Sequence, residues 1–202
     1  MLGFLLAPTR WFWDGDVRGL HEVRFKRSPR ICHSDSLLRV PVHVFEDGYV
    51  VLGTKNRRIA VERGNALQFS IGLLTGAPSE PVTERSLENI VIDDGEREFT
   101  GRNSLCQLRN VFSVDEDMRK EWEAGLMGRV FDIRELPIVF DFSNKILGFH
   151  TPSLATRHLE TSYHFVMGDW TASLLLGWSL IEQVLDEEFT LRHMSEGKSR
   201  KS

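Results

Sequence analysis

The chain has little cysteine, with two in 202 residues. Cys32 and Cys106 lie far apart and form neither a CxxC unit nor the framework of a small disulfide-bonded domain. We therefore expect two small buried thiols, which behave as hydrophobic side chains, in a protein of the reducing cytoplasm.

Long apolar runs are also missing. The longest uncharged apolar stretch, residues 170–181, is well short of the roughly 20 residues that span a bilayer. The N-terminal sequence MLGFLLAPTRWFW has no basic segment before its apolar patch, so it does not fit a signal peptide. We expect a soluble chain without a membrane partner.

No familiar catalytic motif is present. The seven histidines are scattered, and neither HExxH nor paired Cys/His spacing indicates a metal. A glycine-rich phosphate loop and a nucleophile elbow are missing too. We predict no metal or cofactor and assign no catalytic residue. An enzyme whose site is assembled from scattered polar residues remains an alternative.

Charge is distributed unevenly along the sequence. Residues 1–63 contain 11 Lys and Arg against 7 Asp and Glu, whereas the remainder contains 14 against 22. The first third is therefore basic and the rest acidic, although the net charge is only -4.

The N-terminal half predicts a small antiparallel sheet with one packed helix. Residues 39–53 and 86–101 each carry alternating apolar residues around an Asp-Gly turn, at Asp47–Gly48 and Asp94–Gly95, as hairpins do. Residues 21–27 alternate like another strand. Between the hairpins, apolar residues at helical spacing predict a helix over residues 58–75 that stops at Gly76.

The C-terminal half predicts helices. Acidic residues after Ser113 suit a helix start, and Pro137 is expected to end that helix. The pattern of residues 138–150 does not decide between strand and helix. Residues 154–189 then read as a single long helix, apolar nearly all round in its middle turns, which needs cover from several elements.

These patterns together predict an α+β fold, in which one long apolar helix dominates the helical C-terminal region. We divide the chain into a mixed region at 1–112, a helical region at 113–194 and a disordered tail at 195–202. The apolar face of the long helix is the candidate partner interface, with either a second copy or another protein. Its central residues are Trp170, Leu174, Trp178 and Ile181. Full cover by residues 113–150 and the sheet is the alternative.

Two groups of polar residues are candidate sites. Arg157, His164 and Glu182 share one edge of the predicted helix, but along one straight helix they are about 10 Å and about 27 Å apart, too far for one site. The basic, aromatic N-terminal segment could contact nucleic acid. Its candidate contacts are Arg24, Lys26, Arg27 and Arg30, although a solvated sheet face explains the same alternation.

The segment SLATRHLETSYHFVMGDWTASLLLGWSLIEQVLDEEF resembles the first helices of HEPN-type domains, especially in Apea-like bacterial proteins. Trp178 and Glu182 match a frequent tryptophan-then-glutamate pattern, and the helix RRIAVERGNALQFSIGLLTG is similar to the region before such domains. The resemblance covers about half the chain. It implies a four-helix unit, often an RNase with an Arg followed by His after four to six residues.

Arg157 and His164 have this separation, but they precede LLLGWSLIEQVL, too early for the family's catalytic motif. We therefore expect the front of the domain without its catalytic end. The leading hypothesis is a non-enzymatic interaction or sensing protein of a bacterial defence or toxin-like system, assembling through its C-terminal helices. The alternative is an RNA-binding or RNA-cleaving HEPN-like protein that uses the basic N-terminal face.

Overall fold

The computed structural model describes residues 1–6, 11–13, 29–76, 79–99, 130–148 and 153–199. The fold is α+β, as predicted. The predicted strand at residues 21–27, the helix expected from Ser113 and the boundary at residue 112 lie outside these ranges.

The main sheet has six strands in the order β3-β4-β5-β1-β6-β7, and every neighbouring pair is antiparallel. The strands are β1 (Leu2–Leu5), β3 (Ile31–Leu37), β4 (Val40–Phe45), β5 (Tyr49–Leu52), β6 (Glu88–Asp93) and β7 (Glu96–Phe99). A separate parallel pair is formed by β2 (Trp11–Phe12) and β8 (Val130–Phe131).

Both predicted hairpins are confirmed. β4 pairs with β5 and β6 pairs with β7. At the second turn both Asp94 and Gly95 have positive φ, 45° and 77°, which is the backbone that a two-residue turn of type I′ requires. The Asp-Gly pair is thus the local cause of the chain reversal.

The helix predicted between the hairpins is confirmed as α1 (Arg57–Thr75). The Asn56 side chain caps its start by accepting from Ile59 N, and Gly76 ends it with φ 61°. Because glycine adopts positive φ without a steric penalty, it closes the helix cheaply. The α1 face toward the sheet is buried, including Ala60, Leu67 and Ile71.

Residues 138–150, undecided from sequence, belong mainly to α2 (Leu136–Gly148). Pro137 lies in the first turn of this helix, where its missing N–H leaves no intrahelical hydrogen bond broken. α2 packs against α1, and the buried Ser143 Oγ donates to Ser70 Oγ at 2.8 Å across that contact. The main hydrophobic core therefore joins β-sheet, α1 and α2.

The prediction of one helix over residues 154–189 is wrong. The structure has two helices, α3 (Ser153–Val166) and α4 (Trp170–Ser199). Gly168 has φ 78°, its N–H donates to Phe165 O, and Asp169 N–H donates to His164 O. This pair of bonds around a left-handed glycine is a Schellman ending. Asp169 Oδ1 then caps α4 by accepting from Ala172 N.

The break folds α4 back along α3 as a helical hairpin. Arg157 Nη1 donates to Ser179 Oγ at 2.8 Å, and Ser173 Oγ donates to Thr161 O at 3.1 Å. A straight helix would place residues 157 and 179 about 33 Å apart. The end of α4, at Ser199, lies past the predicted end at residue 189 and within the segment 195–202 that was predicted to be disordered.

Candidate interaction surface

The side of α4 that faces away from α3 carries a row of exposed large apolar side chains. We call it the α4 row. Its members and their exposed fractions are Trp170 (62%), Leu174 (73%), Trp178 (62%), Ile181 (53%), Leu185 (63%) and Phe189 (63%). The first four are the interface residues proposed from sequence.

The helical geometry explains why these six residues share one face. At about 100° per residue, all six fall within an arc of about 100°. Ser173 and Gly177 point to another side, where they approach Thr161 of α3. Small residues of α4 thus lie against Thr161 of α3, whereas the six members of the α4 row lie on the side of α4 away from α3.

The α4 row continues onto the end of α3. Phe165, Val166 and Met167 are all more than half exposed. The rings of Phe165 and Trp170 meet edge to face with their centroids 4.9 Å apart. The apolar surface therefore runs without interruption from the hairpin turn to Phe189, which exceeds the scattered single hydrophobic residues of an ordinary surface.

Of the alternative in which the sheet and residues 113–150 cover the long helix, only the sheet and residues 130–148 lie within the described ranges, and neither covers the α4 row. α2, which supplies residues 136–148, packs on α1 and β3. Leu174, at the middle of the supposed covered region, is the most exposed large apolar side chain of the described residues. Among the described residues, no element packs over the α4 row.

Polar groups beside the α4 row are few and lie toward its C-terminal half. Residues 170–181 contain no charged side chain, whereas Glu182, Asp186, Glu187 and Glu188 follow. Trp178 Nε1 donates to Glu182 Oε1 at 2.7 Å, so the indole N–H is already satisfied. Trp178 can therefore bury its ring in an interface without leaving an unpaired donor.

A groove adjoins the hairpin turn. This groove, of about 560 Å³, lies between the C-terminal part of α1 and α3. Its lining is largely apolar and includes Phe69, Leu73 and Leu159, and it reaches Phe165 and Val166 at the end of the exposed surface. No sequence signal indicated this groove, because it forms only when the two helices pack.

Two buried polar atoms belong to residues that line the groove. His158 Nδ1 and Ser79 Oγ have no hydrogen-bond partner among the described residues. The His158 ring packs edge to face on Phe69 at 4.9 Å, and burial lowers the pKa of His158 below its ordinary value. The imidazole is consequently held neutral near pH 7, as expected for a packed rather than a charged group.

Arg157, His164 and Glu182 would be too far apart for a common site on one straight helix. They lie on a hairpin instead, yet each residue has its own partner. Arg157 donates to Ser179, His164 Nδ1 lies 3.4 Å from Asp169 Oδ2 at the turn, and Glu182 accepts from Trp178. These contacts hold the hairpin and its surface and do not assemble a common site.

Of the candidate nucleic-acid contacts, Arg24, Lys26 and Arg27 lie outside the described residues. Arg30 is exposed immediately before β3, and its backbone N–H donates to Glu46 Oε2 at 3.0 Å. Nucleic-acid binding by this segment stays a prediction, and a gel-shift assay at low salt tests it.

Cys32 is not suited to nucleophilic chemistry. Its Sγ donates to Val44 O at 3.3 Å, and burial raises its pKa to about 12, with Glu46 adding to the effect. Because the thiolate is the reactive form, a thiol with such a pKa is inert near neutral pH. This agrees with its predicted role as a small hydrophobic side chain; Cys106 lies outside the described residues.

Within the described residues, no three or more His, Cys, Asp or Glu side chains are grouped so that they could hold a metal ion. Among the helices described, none combines the length and apolar character needed to cross a membrane. Comparison with protein-family models, with curated proteins and with solved structures gave no match. The function is therefore argued from the exposed hairpin surface itself.

Proposed function

We propose that this chain is a non-enzymatic interaction protein that self-associates through the α4 row. The observation that supports it is the continuous exposure of six large apolar side chains on one face of α4, with none of the described elements packed over them. Water contact with so much apolar surface is unfavourable, by roughly 25 cal/mol for each Å².

The size of the surface is adequate for a specific interface. Aromatic side chains present about 150–250 Å² each, and the six members are exposed by more than half. Association would remove on the order of 700 Å² from each copy, close to the ~800 Å² per partner of a standard protein interface. Tryptophan and phenylalanine are both enriched at such interfaces, and tryptophan is among the residues that most often anchor them.

The way in which the body of the protein supports α3 and α4 also favours the proposal. In a hairpin of α3 and α4 that packs on α1 through α3, the outer side of α4 could carry polar residues without any loss of core packing. Asn65, buried on α1, donates to Thr156 Oγ1 of α3 at 3.0 Å, so α3 is fixed to the body of the protein. The α4 row is thereby presented on a supported element, which lowers the entropic cost of binding.

The wider role, in a bacterial defence or toxin-like system related to HEPN proteins, remains part of the proposal. No nuclease role is assigned to Arg157 or His164, because each is already engaged within the hairpin. An interaction or sensing role uses the surface that the structure presents and needs no catalytic group.

Light scattering after size-exclusion chromatography tests self-association. We expect the wild-type chain at micromolar concentration to have about twice its mass of 23.2 kDa. The variant Leu174→Lys/Leu185→Lys should be a monomer, because it places two charges in the apolar contact. A wild-type protein that stays strictly monomeric would remove the proposal.

A further inference from the structure

The spacing of the α4 row is the same when read in either direction. Its residues stand at positions 170, 174, 178, 181, 185 and 189, so the steps are 4, 4, 3, 4 and 4. A two-fold axis perpendicular to α4, midway between Trp178 and Ile181, exchanges Trp170 with Phe189 and Leu174 with Leu185. We infer that the partner is a second copy of the chain whose α4 runs antiparallel in this register.

The residues exchanged by this axis are chemically matched. An aromatic ring meets an aromatic ring at both ends, leucine meets leucine at both intermediate positions, and Trp178 faces Ile181 at the centre. Large and smaller side chains facing each other in this way can interdigitate. An interface that repeats one patch on both copies is the rule for two-fold dimers.

The repeat length keeps the two rows in contact along their whole length. Positions 170, 174 and 178 recur 11 residues later as 181, 185 and 189. An 11-residue period is about 3.67 residues per turn, close to that of a straight helix, so the row drifts little around α4. Two such helices therefore meet along about 28 Å, the rise of 19 residues.

Charge favours the antiparallel over the parallel arrangement. The first half of α4, residues 170–181, is uncharged, and the acidic residues Glu182, Asp186 and Glu188 lie in the second half. A parallel pair would place these carboxylates beside their own copies, which is repulsive. An antiparallel pair places them beside the uncharged half and also opposes the two helix dipoles.

The inference rests on the proposed self-association and is tested separately from it by disulfide cross-linking. An untagged Leu174→Cys chain is mixed with an affinity-tagged Leu185→Cys chain and oxidised with copper phenanthroline. We expect the mixed pair to cross-link at least about tenfold more than either variant alone, because only the antiparallel register brings positions 174 and 185 together. The wild type controls for Cys32 and Cys106.

A charge-pair variant guards against loss of the dimer through the cysteine substitutions. In the antiparallel register, Leu174→Lys/Leu185→Glu places Lys opposite Glu at both contacts, whereas Leu174→Lys/Leu185→Lys places Lys opposite Lys. We expect the first variant to dimerise at least about tenfold more tightly than the second.

The outcomes separate the two claims. If the wild type is a monomer, self-association and the register fail together. If it is a dimer in which each cysteine variant alone cross-links as well as the mixture does, the antiparallel register is overturned and self-association stands. Equal dimerisation by the two charge variants would also overturn the register.

Discussion

The Arg157 guanidinium donates a hydrogen bond to Ser179 Oγ at 2.8 Å and so joins two residues that are 22 positions apart in sequence. This bond crosses from α3 to α4 and exists only because Gly168 and Asp169 turn the chain back. It is the clearest single contact that distinguishes a hairpin from one continuous helix.

A double-mutant cycle on this pair tests the hairpin. We expect Arg157→Ala and Ser179→Ala to be coupled by about 1 kcal/mol in the free energy of unfolding, measured by urea titration, because the bond is partly shielded from water. Arg157→Ala combined with Thr190→Ala, on the exposed part of α4, is the control and should be additive. A coupling near zero for Arg157 and Ser179 would contradict the hairpin.

Asn65 is the residue whose loss we expect to be most damaging to α1. It is buried, accepts from Val82 N at 2.6 Å and donates to Val82 O at 3.2 Å. Asn65→Ala leaves both buried backbone groups unpaired, so it should lower the free energy of unfolding by about 2–4 kcal/mol. The exposed Arg58→Ala on the same helix should change it by less than about 0.5 kcal/mol. If Asn65→Ala and Arg58→Ala lowered the free energy of unfolding equally in urea titrations, the stabilising role of Asn65 would be disproved.

Gly3 of β1 has no room for a side chain. A Cβ at this position would lie 2.5 Å from Tyr49 Cε1, and the Tyr49 hydroxyl donates to Glu88 at 2.9 Å, which restrains the ring. We expect Gly3→Ala to destabilise the fold by about 2 kcal/mol. Gly148→Ala, where no heavy atom lies within 4 Å of the new Cβ, should be neutral or slightly stabilising. Thermal unfolding compares the two, and a neutral Gly3→Ala would be the contrary result.

Stability should fall in mild acid because of His158. Burial lowers its pKa in the folded state, so the unfolded chain takes up the proton at a higher pH than the folded chain. The contribution of His158 to the free energy of unfolding is then fully present above about pH 6.5, and it is lost as the pH falls toward the folded-state pKa. The pKa of His43 is shifted the same way by burial.

Urea titrations between about pH 7 and about pH 5 measure this dependence. We expect His158→Gln to flatten the decline, with His193→Gln, on the exposed part of α4, as the control for removing a histidine. If the free energy of unfolding of the His158→Gln variant declined with falling pH as steeply as that of the wild type, His158 would not contribute to the pH dependence.

Local signals allowed much of the fold to be predicted. The Asp47–Gly48 and Asp94–Gly95 turns and the stop at Gly76 depend on backbone conformations that few residues adopt, so the short sequence determines them. The break at Gly168 was missed because the apolar residues keep helical spacing across it. The signal was present, since glycine ends helices and the following Asp169 is a favoured N-cap.

Other features required the tertiary structure. Pro137 was read as a helix end, although a proline is equally suited to a first helical turn. The groove beside His158 depends on how α1 and α3 pack. The sequence predicts an apolar face formed by Trp170, Leu174, Trp178 and Ile181. The exposure of that face depends on the tertiary structure, because α3 packs on the opposite side of α4.

The central claim is that the α4 row holds two copies of the chain together. Sedimentation equilibrium of Leu185→Lys and Asp186→Lys tests it most directly, because a lysine is introduced at each of two adjacent exposed residues, one on the row and one off it. We expect the wild type and Asp186→Lys to be dimers and Leu185→Lys to dissociate at least about tenfold more readily, since a lysine would be buried in an apolar contact. A monomeric wild type, or equal dissociation of both variants, would contradict the account.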